Sequence, residues 1–123
     1  MTSELAQKQC EPCRGGVPTL SQDRIEDLLQ QVHEEWSVDR QGHLRRTLKF
    51  PDFASAMDYA NEVGAIAENQ GHHPDLHISW GQVTVEVWTH KIDGLTESDF
   101  IFAAKCDEAY HGMNGRPEVG ERG

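Results

Sequence analysis

Between two ends that carry glycine and proline, apolar residues fall into readable periods. Ile25, Leu28, Leu29 and Val32 recur at i, i+3, i+4 and i+7, one face of a helix. Ser21 can cap it, and Asp23 suits the positive end of its dipole. Trp36 and Val38 then alternate with polar residues, and Asp39-Arg40-Gln41-Gly42 reads as a turn. Leu44, Leu48 and Phe50 share one face of the next strand, with Arg45, Thr47 and Lys49 on the other, which predicts a hairpin with one wet face. Pro51-Asp52 starts a second helix, in which Phe53, Ala56, Met57, Ala60, Val63 and Ala67 form a stripe ending near Gly71. Leu76, Ile78 and Trp80 alternate with Asp75, His77 and Ser79, Gly81-Gln82 reads as a tight turn, and Val83, Val85 and Val87 continue the alternation as a second hairpin. Thr96-Glu97-Ser98-Asp99 resembles a capping box with Asp in place of Glu. Phe100, Phe102, Ala103, Ala104, Cys106 and Ala109 give the last helix a broad apolar side.

The predicted order is αββαββα, an α+β fold. Two hairpins separated by a helix imply one four-stranded antiparallel sheet, with three helices on one face. The second face is left wet or covered by another subunit, and an uncovered edge favours self-association. Residues 1–18 and 112–123 lack an amphipathic period and read as flexible tails around a domain over 19–111.

Composition narrows the class. A chain of 123 residues, 37% hydrophobic and 26% charged, is one soluble globular domain. No run approaches the roughly 18 apolar residues of a membrane span. Met1-Thr2-Ser3-Glu4 lacks the basic cluster and apolar core of a secretory signal, so a cytoplasmic location is expected. The net charge of −10 repels phosphate backbones and disfavours nucleic acid as a partner. Three cysteines cannot all pair internally, and a small secreted scaffold would carry more.

The chemistry lies in the placement of the seven histidines. His72, His73 and His77 follow the second helix, and His90 ends the last strand. Pro74 stops the helix and biases His73 toward extended backbone. Pairing through the turn at Gly81-Gln82 is expected to set His73–Asp75 opposite Trp88–His90. Adjacent histidines in a strand point apart, and no Asp or Cys stands at an obvious third position, so zinc is the weaker reading. Proton transfer is the stronger one, because an imidazole titrates near neutrality and two or three can hold a donor and an acceptor together. A plain junction with surface imidazoles is the alternative to both.

Other residues carry weaker signals. Glu68 precedes His72 by one helical turn and could orient a ring, and Asp99 is read as a helix cap before a substrate contact. Trp80 and Trp88 could wall a flat ring, and are more often hairpin or interface packing. His77 falls on the polar face, and His33, His43 and His111 are read as surface residues. Cys10 and Cys13 form a CxxC with no second CxxC, and Cys106 is read as packing.

One long pattern is more specific. Glu68-Asn69-Gln70-Gly71-His72-His73-Pro74, five residues to Trp80, nine to His90 and eight to Asp99, resembles the signature of the pterin-4a-carbinolamine dehydratases. Gly94-Leu95-Thr96-Glu97-Ser98-Asp99 resembles the family's helix start, and the element order agrees from about Val17 to Tyr110. Gly71, Leu76 and Ile92 stand where some members carry Asp, Trp and Cys. The resemblance implies dimers or dimers of dimers, and a lyase without metal or cofactor. That lyase dehydrates 4a-hydroxytetrahydropterin to quinonoid dihydropterin, recycling the pterin of aromatic amino-acid hydroxylases. It implies catalytic roles for His72, His73 and His90, with His72 and His90 as the acid–base pair and His73 tied more to positioning. It assigns substrate contacts to Glu68, Pro74, Thr89, Lys91, Ile92 and Asp99. Relatives of this fold also serve as coactivators or enzyme-assembly factors, so a dimeric binding module is the competing expectation.

Overall fold

A computed structural model describes residues 4–10 and 19–114. Helix α1 spans Gln22–Leu29, β1 Ser37–Val38, β2 Leu44–Lys49, α2 Phe53–Gln70, β3 Asp75–Ser79, β4 Gln82–Val87 and α3 Glu97–Asn114. The αββαββα order and the α+β class are as the sequence predicts.

Caps decide where the helices begin and end. Ser21 is extended and its Oγ accepts the Arg24 N–H at 3.2 Å. Asp52 does the same for α2, accepting the Ser55 N–H at 2.8 Å. Gly71 ends α2 at φ 65°, a left-handed position that favours glycine, and its N–H donates to the Ala67 carbonyl at 2.9 Å.

The sheet order is β1-β2-β4-β3, antiparallel throughout, so the two hairpins meet at β2 and β4. Leu44, Leu48, Val83, Val85 and Val87 are buried from these central strands. They share one core with Ala56, Tyr59 and Val63 of α2 and Phe100, Phe102 and Cys106 of α3. Helix α2 lies against β3 and β4, α3 against α2, and α1 against α3. A buried Val or Leu side chain contributes about 1.5–3 kcal/mol, whereas a cap contributes about 1 kcal/mol. Packing therefore decides that these helices persist.

Several details depart from the sequence reading or fall outside it. First, Asp75 pairs with Glu86 and Ser79 with Gln82, a register two residues from the expected one. The turn residues are Trp80 and Gly81, because Gly81 at φ 77° takes the left-handed turn position. Second, Arg46 is buried on the inward side of β2 between Leu44 and Leu48. Its Nη1 donates to Asp107 Oδ1 at 2.6 Å and its Nε to Glu35 Oε1 at 3.3 Å. Its guanidinium also lies over the Tyr110 ring, 5.3 Å from the centroid. Third, within the segment read as an N-terminal tail, Leu5 and Ala6 sit in a single 3-10 turn buried in the core. Lys105 Nζ donates to the Ala6 carbonyl at 2.7 Å, fastening this turn to α3. Two apolar residues are too short a signal for any period to reveal. At the other end α3 continues to Asn114, past the expected boundary at 111. The remainder of both expected tails, 11–18 and 115–123, lies outside the described residues.

Candidate active site

The connector from α2 to β3 sends its two histidines apart. Gly71 reverses the chain, Pro74 keeps it extended, and the intervening rings diverge. The His72 ring is mostly buried, 6.1 Å from the Phe102 ring, with Nε2 2.6 Å from Asp99 Oδ1. The His73 ring is 56% exposed, with Nε2 2.8 Å from Oε2 of Glu68 in the last turn of α2. Glu68 therefore pairs with His73, not with His72 one turn on.

Asp99 is the hub. Its side chain has no exposure to water. Oδ2 accepts the backbone N–H of Thr96 at 2.9 Å, the return arm of a capping box. The same oxygen accepts the Thr89 hydroxyl at 2.8 Å. An ionised carboxylate only accepts, so Nε2 of His72 donates to Oδ1. Asp99 is the helix cap the sequence predicts, and its shielded carboxylate also holds His72 and Thr89.

Thr89 links this knot to His90. Backbone hydrogen bonds between Thr89 and Gly94, 2.8 Å and 3.4 Å, close a short loop. Its apex is a single 3-10 turn, His90–Ile92, followed by Asp93 at φ 49°. His90 and Lys91 are exposed there and Ile92 is half-buried. Asp99 thus bridges the connector carrying His72 to the loop carrying His90. The expected route, strand pairing directly opposite His90, is replaced by a shared carboxylate, since the register sets Asp75 against Glu86.

His73 and Glu68 instead face a groove of about 530 Å³ between α2 and β3, lined also by Asn61, Gly64, Pro74 and Leu76. The predicted site residues therefore form three neighbouring groups. Glu68, His73 and Pro74 line the groove. His72, Thr89 and Asp99 form the buried knot. His90, Lys91 and Ile92 form the turn that Thr89 anchors.

The sequence reading missed the residues behind His90. The His90 ring lies 4.4 Å from Trp88 at 40°, and Trp88 stacks on His43 at 3.8 Å and 3°. His43 is buried, not a surface residue as expected, with Nδ1 2.6 Å from Oε2 of the buried Glu86. The Leu44↔Val87 pairing sets residue 43 beside residue 88, and no local period along the chain carries that signal. Trp80, at the tip of its hairpin, is 72% exposed. His33, His77 and His111 are exposed as expected. Cys106 is fully buried, and burial pushes its thiol well above the usual range. Burial also pushes the Cys10 thiol up to about 11, with Lys105 opposing and Asp99 adding. Cys13 lies outside the described residues. Among those residues no helix is long and apolar enough to cross a membrane.

Helices packed on a four-stranded antiparallel sheet, with a buried carboxylate holding one imidazole and anchoring the loop of another, define an α+β protein with a carboxylate–histidine cluster. The chain belongs to the pterin 4 alpha carbinolamine dehydratase family, which it matches over residues 18–109. A Rickettsia bellii protein assigned by name to pterin-4-alpha-carbinolamine dehydratase is 55% identical over 107 residues, covering 87% of this chain and 95% of that protein. An Alkaliphilus metalliredigens protein of the same assignment is 52% identical, covering 86% and 96%. Among solved structures, a transcriptional coactivator/pterin dehydratase from Brucella melitensis superposes with a TM-score of 0.70 at 28% identity, covering 75% of this chain and 98% of that one. A pterin dehydratase-like RuBisCO assembly factor of the alpha-carboxysome, at TM-score 0.55 and 20% identity over 63% and 90%, shares the fold.

Proposed function

We propose that this chain is a hydro-lyase that dehydrates 4a-hydroxytetrahydropterin to quinonoid dihydropterin and water. The observation that carries the reading is the buried Asp99 carboxylate, which holds His72 at 2.6 Å and fastens Thr89, the residue before His90, at 2.8 Å. Family membership supplies the substrate class.

The reaction removes the C4a hydroxyl as water and the proton from N5. No electrons are exchanged with a second molecule, so no nicotinamide or flavin takes part. Donation of Nε2–H to Asp99 fixes the tautomer of His72, which leaves Nδ1 as the nitrogen that exchanges a proton. His90, on the exposed turn, is the complementary group: one ring protonates the departing oxygen, the other accepts the N5 proton. Such groups typically contribute about 10²–10⁴-fold each. Glu68, His73 and Pro74 position the ring system, with Lys91 and Ile92 bordering it.

The partner this chemistry calls for is an enzyme that generates the 4a-adduct, an aromatic amino-acid hydroxylase, in the cytoplasm. A dimer or tetramer is the matching assembly. Edge strand β3 leaves Ile78 38% exposed beside Trp80, which favours a second copy as its cover. That exposed edge also favours the competing reading, a binding module of the same fold.

The test is stopped-flow dehydration of the 4a-adduct with purified protein, alongside light scattering for its mass. Acceleration over the spontaneous reaction that is lost in His72→Ala and His90→Ala supports the enzyme. No acceleration by the intact chain leaves the binding module.

A further inference from the structure

His43, Glu86 and Trp88 form a stacked assembly behind His90 that the proposed chemistry does not use directly. Glu86 Oε2 accepts a hydrogen bond from His43 Nδ1 at 2.6 Å, and its other oxygen lies 3.6 Å from Arg45 Nη2. The His43 backbone N–H donates to Asp39 Oδ1 at 3.0 Å, which ties the ring's own strand end to the β1–β2 turn. His43 is therefore fixed at both its backbone and its ring. Its plane lies 3° from that of Trp88 with centroids 3.8 Å apart. Trp88 in turn contacts the His90 ring at 4.4 Å. On the far side of the His90 turn, Asp93 Oδ1 lies 3.7 Å from His43 Nε2. One buried imidazole thus touches both flanks of the loop that carries His90: Trp88, just past the end of β4, and the residue that ends its 3-10 turn.

From this we infer that His43 is a positioning residue for His90. It holds the Trp88 indole flat, and the indole sets the direction of the His90 imidazole. An exposed histidine on a short loop has free rotamers; an aromatic wall on one side removes most of them. Reactions between oriented groups lose rate steeply when a group is misplaced by about 1 Å. The physical role belongs to the flat ring at position 43, with Glu86 and Asp39 as its clamps.

This inference rests on the dehydratase reading for its kinetic arm only. The variants are His43→Ala, His43→Phe and Trp88→Leu, with circular dichroism to confirm folding. His43→Ala is expected to lower kcat about tenfold with KM changed less than about twofold, while His43→Phe, which restores a flat ring, stays within about threefold of the parent. Trp88→Leu keeps the His43–Glu86 pair and is expected to match His43→Ala, so it carries the test if His43→Ala does not fold. NMR of the His90 ring, assigned with His90→Ala, should show its resonances displaced in His43→Ala and Trp88→Leu. A kcat close to the parent's with unmoved His90 resonances overturns the inference, as does a His43→Phe variant no better than His43→Ala. If the parent protein has no dehydratase activity, the functional reading falls, and the His90 resonances alone decide: displaced signals support the coupling and unmoved ones end it.

Discussion

Nε2 of His72 lies 2.6 Å from Oδ1 of Asp99, a carboxylate wholly shielded from water. That contact joins residues 27 apart in sequence. It also gives the two adjacent histidines different surroundings. His72 is held inward by a buried charge, and His73 pairs with exposed Glu68.

Asp99 caps α3 and, in the proposed reaction, orients His72, so two substitutions should part the two roles. Asp99→Ala removes the acceptor for Thr96 N–H, the Thr89 hydroxyl and His72 together. It should cost about 2–4 kcal/mol of stability, from a lost cap and unpaired buried donors. Asp99→Asn keeps the shape and an acceptor but not the charge. Urea denaturation should place it much nearer the parent, while dehydration falls about 10²-fold. Equal kcat for Asp99→Asn and the parent would remove the charge from the mechanism.

His72→Ala and His90→Ala should each slow dehydration by about 10²–10⁴-fold. His90 is exposed, so its removal should shift stability by no more than about 0.5 kcal/mol. His73→Ala should act mainly on KM, because its ring faces the groove with Glu68. Steady-state rates across pterin concentration separate these outcomes; a kcat effect confined to His73 would reverse the assignment.

Arg46 bridges Asp107 and Glu35 from inside the core. Arg46→Ala leaves Asp107 facing Trp36 Nε1 and the His33 N–H without its cation. The expected loss is about 3–5 kcal/mol in urea unfolding, the usual result of breaking a buried pair. Arg46→Met, which fills the space, should lose less than Arg46→Ala. If both unfold at the parent's urea midpoint, the cluster contributes nothing to stability.

Burial pushes the Cys10 thiol up to about 11 in the folded chain, against 9.0 for an unperturbed thiol. Its folded value is raised, so between these two limits the unfolded chain deprotonates first and stability falls as pH rises. The thiolate is the reactive form. Peptide mapping after iodoacetamide treatment at about pH 9 should therefore find Cys10 labelled far more slowly in native than in urea-unfolded protein, with fully buried Cys106 slower still. Comparable native and unfolded labelling of Cys10 would contradict its docking against α3, where its Sγ–H donates to the Ser98 carbonyl at 3.5 Å.

Much of this protein is legible in its residues taken in order. The caps at Ser21 and Asp52, the stop at Gly71, the alternation in β2 to β4 and the three helical stripes are local, because each depends on neighbours within a turn or a strand. The spacing from Glu68 to Asp99 likewise carries the family, and the separate directions of His72 and His73 follow from their adjacency before Pro74. Other features depend on partners far along the chain. Whether Trp80-Gly81 or Gly81-Gln82 turns the hairpin shifts the whole register by two residues, and only the assembled sheet sets it. Arg46 falls between Leu44 and Leu48 on the inward face of β2, and only the assembled fold brings it Asp107, Tyr110 and Glu35. His43 reads as a surface imidazole until β4 brings Glu86 and Trp88 beside it. Local periodicity fixes which residues face inward. Which buried groups then meet depends on how strands and helices pack, and that packing brings His72 and Thr89 to Asp99, and Glu86 and Trp88 to His43.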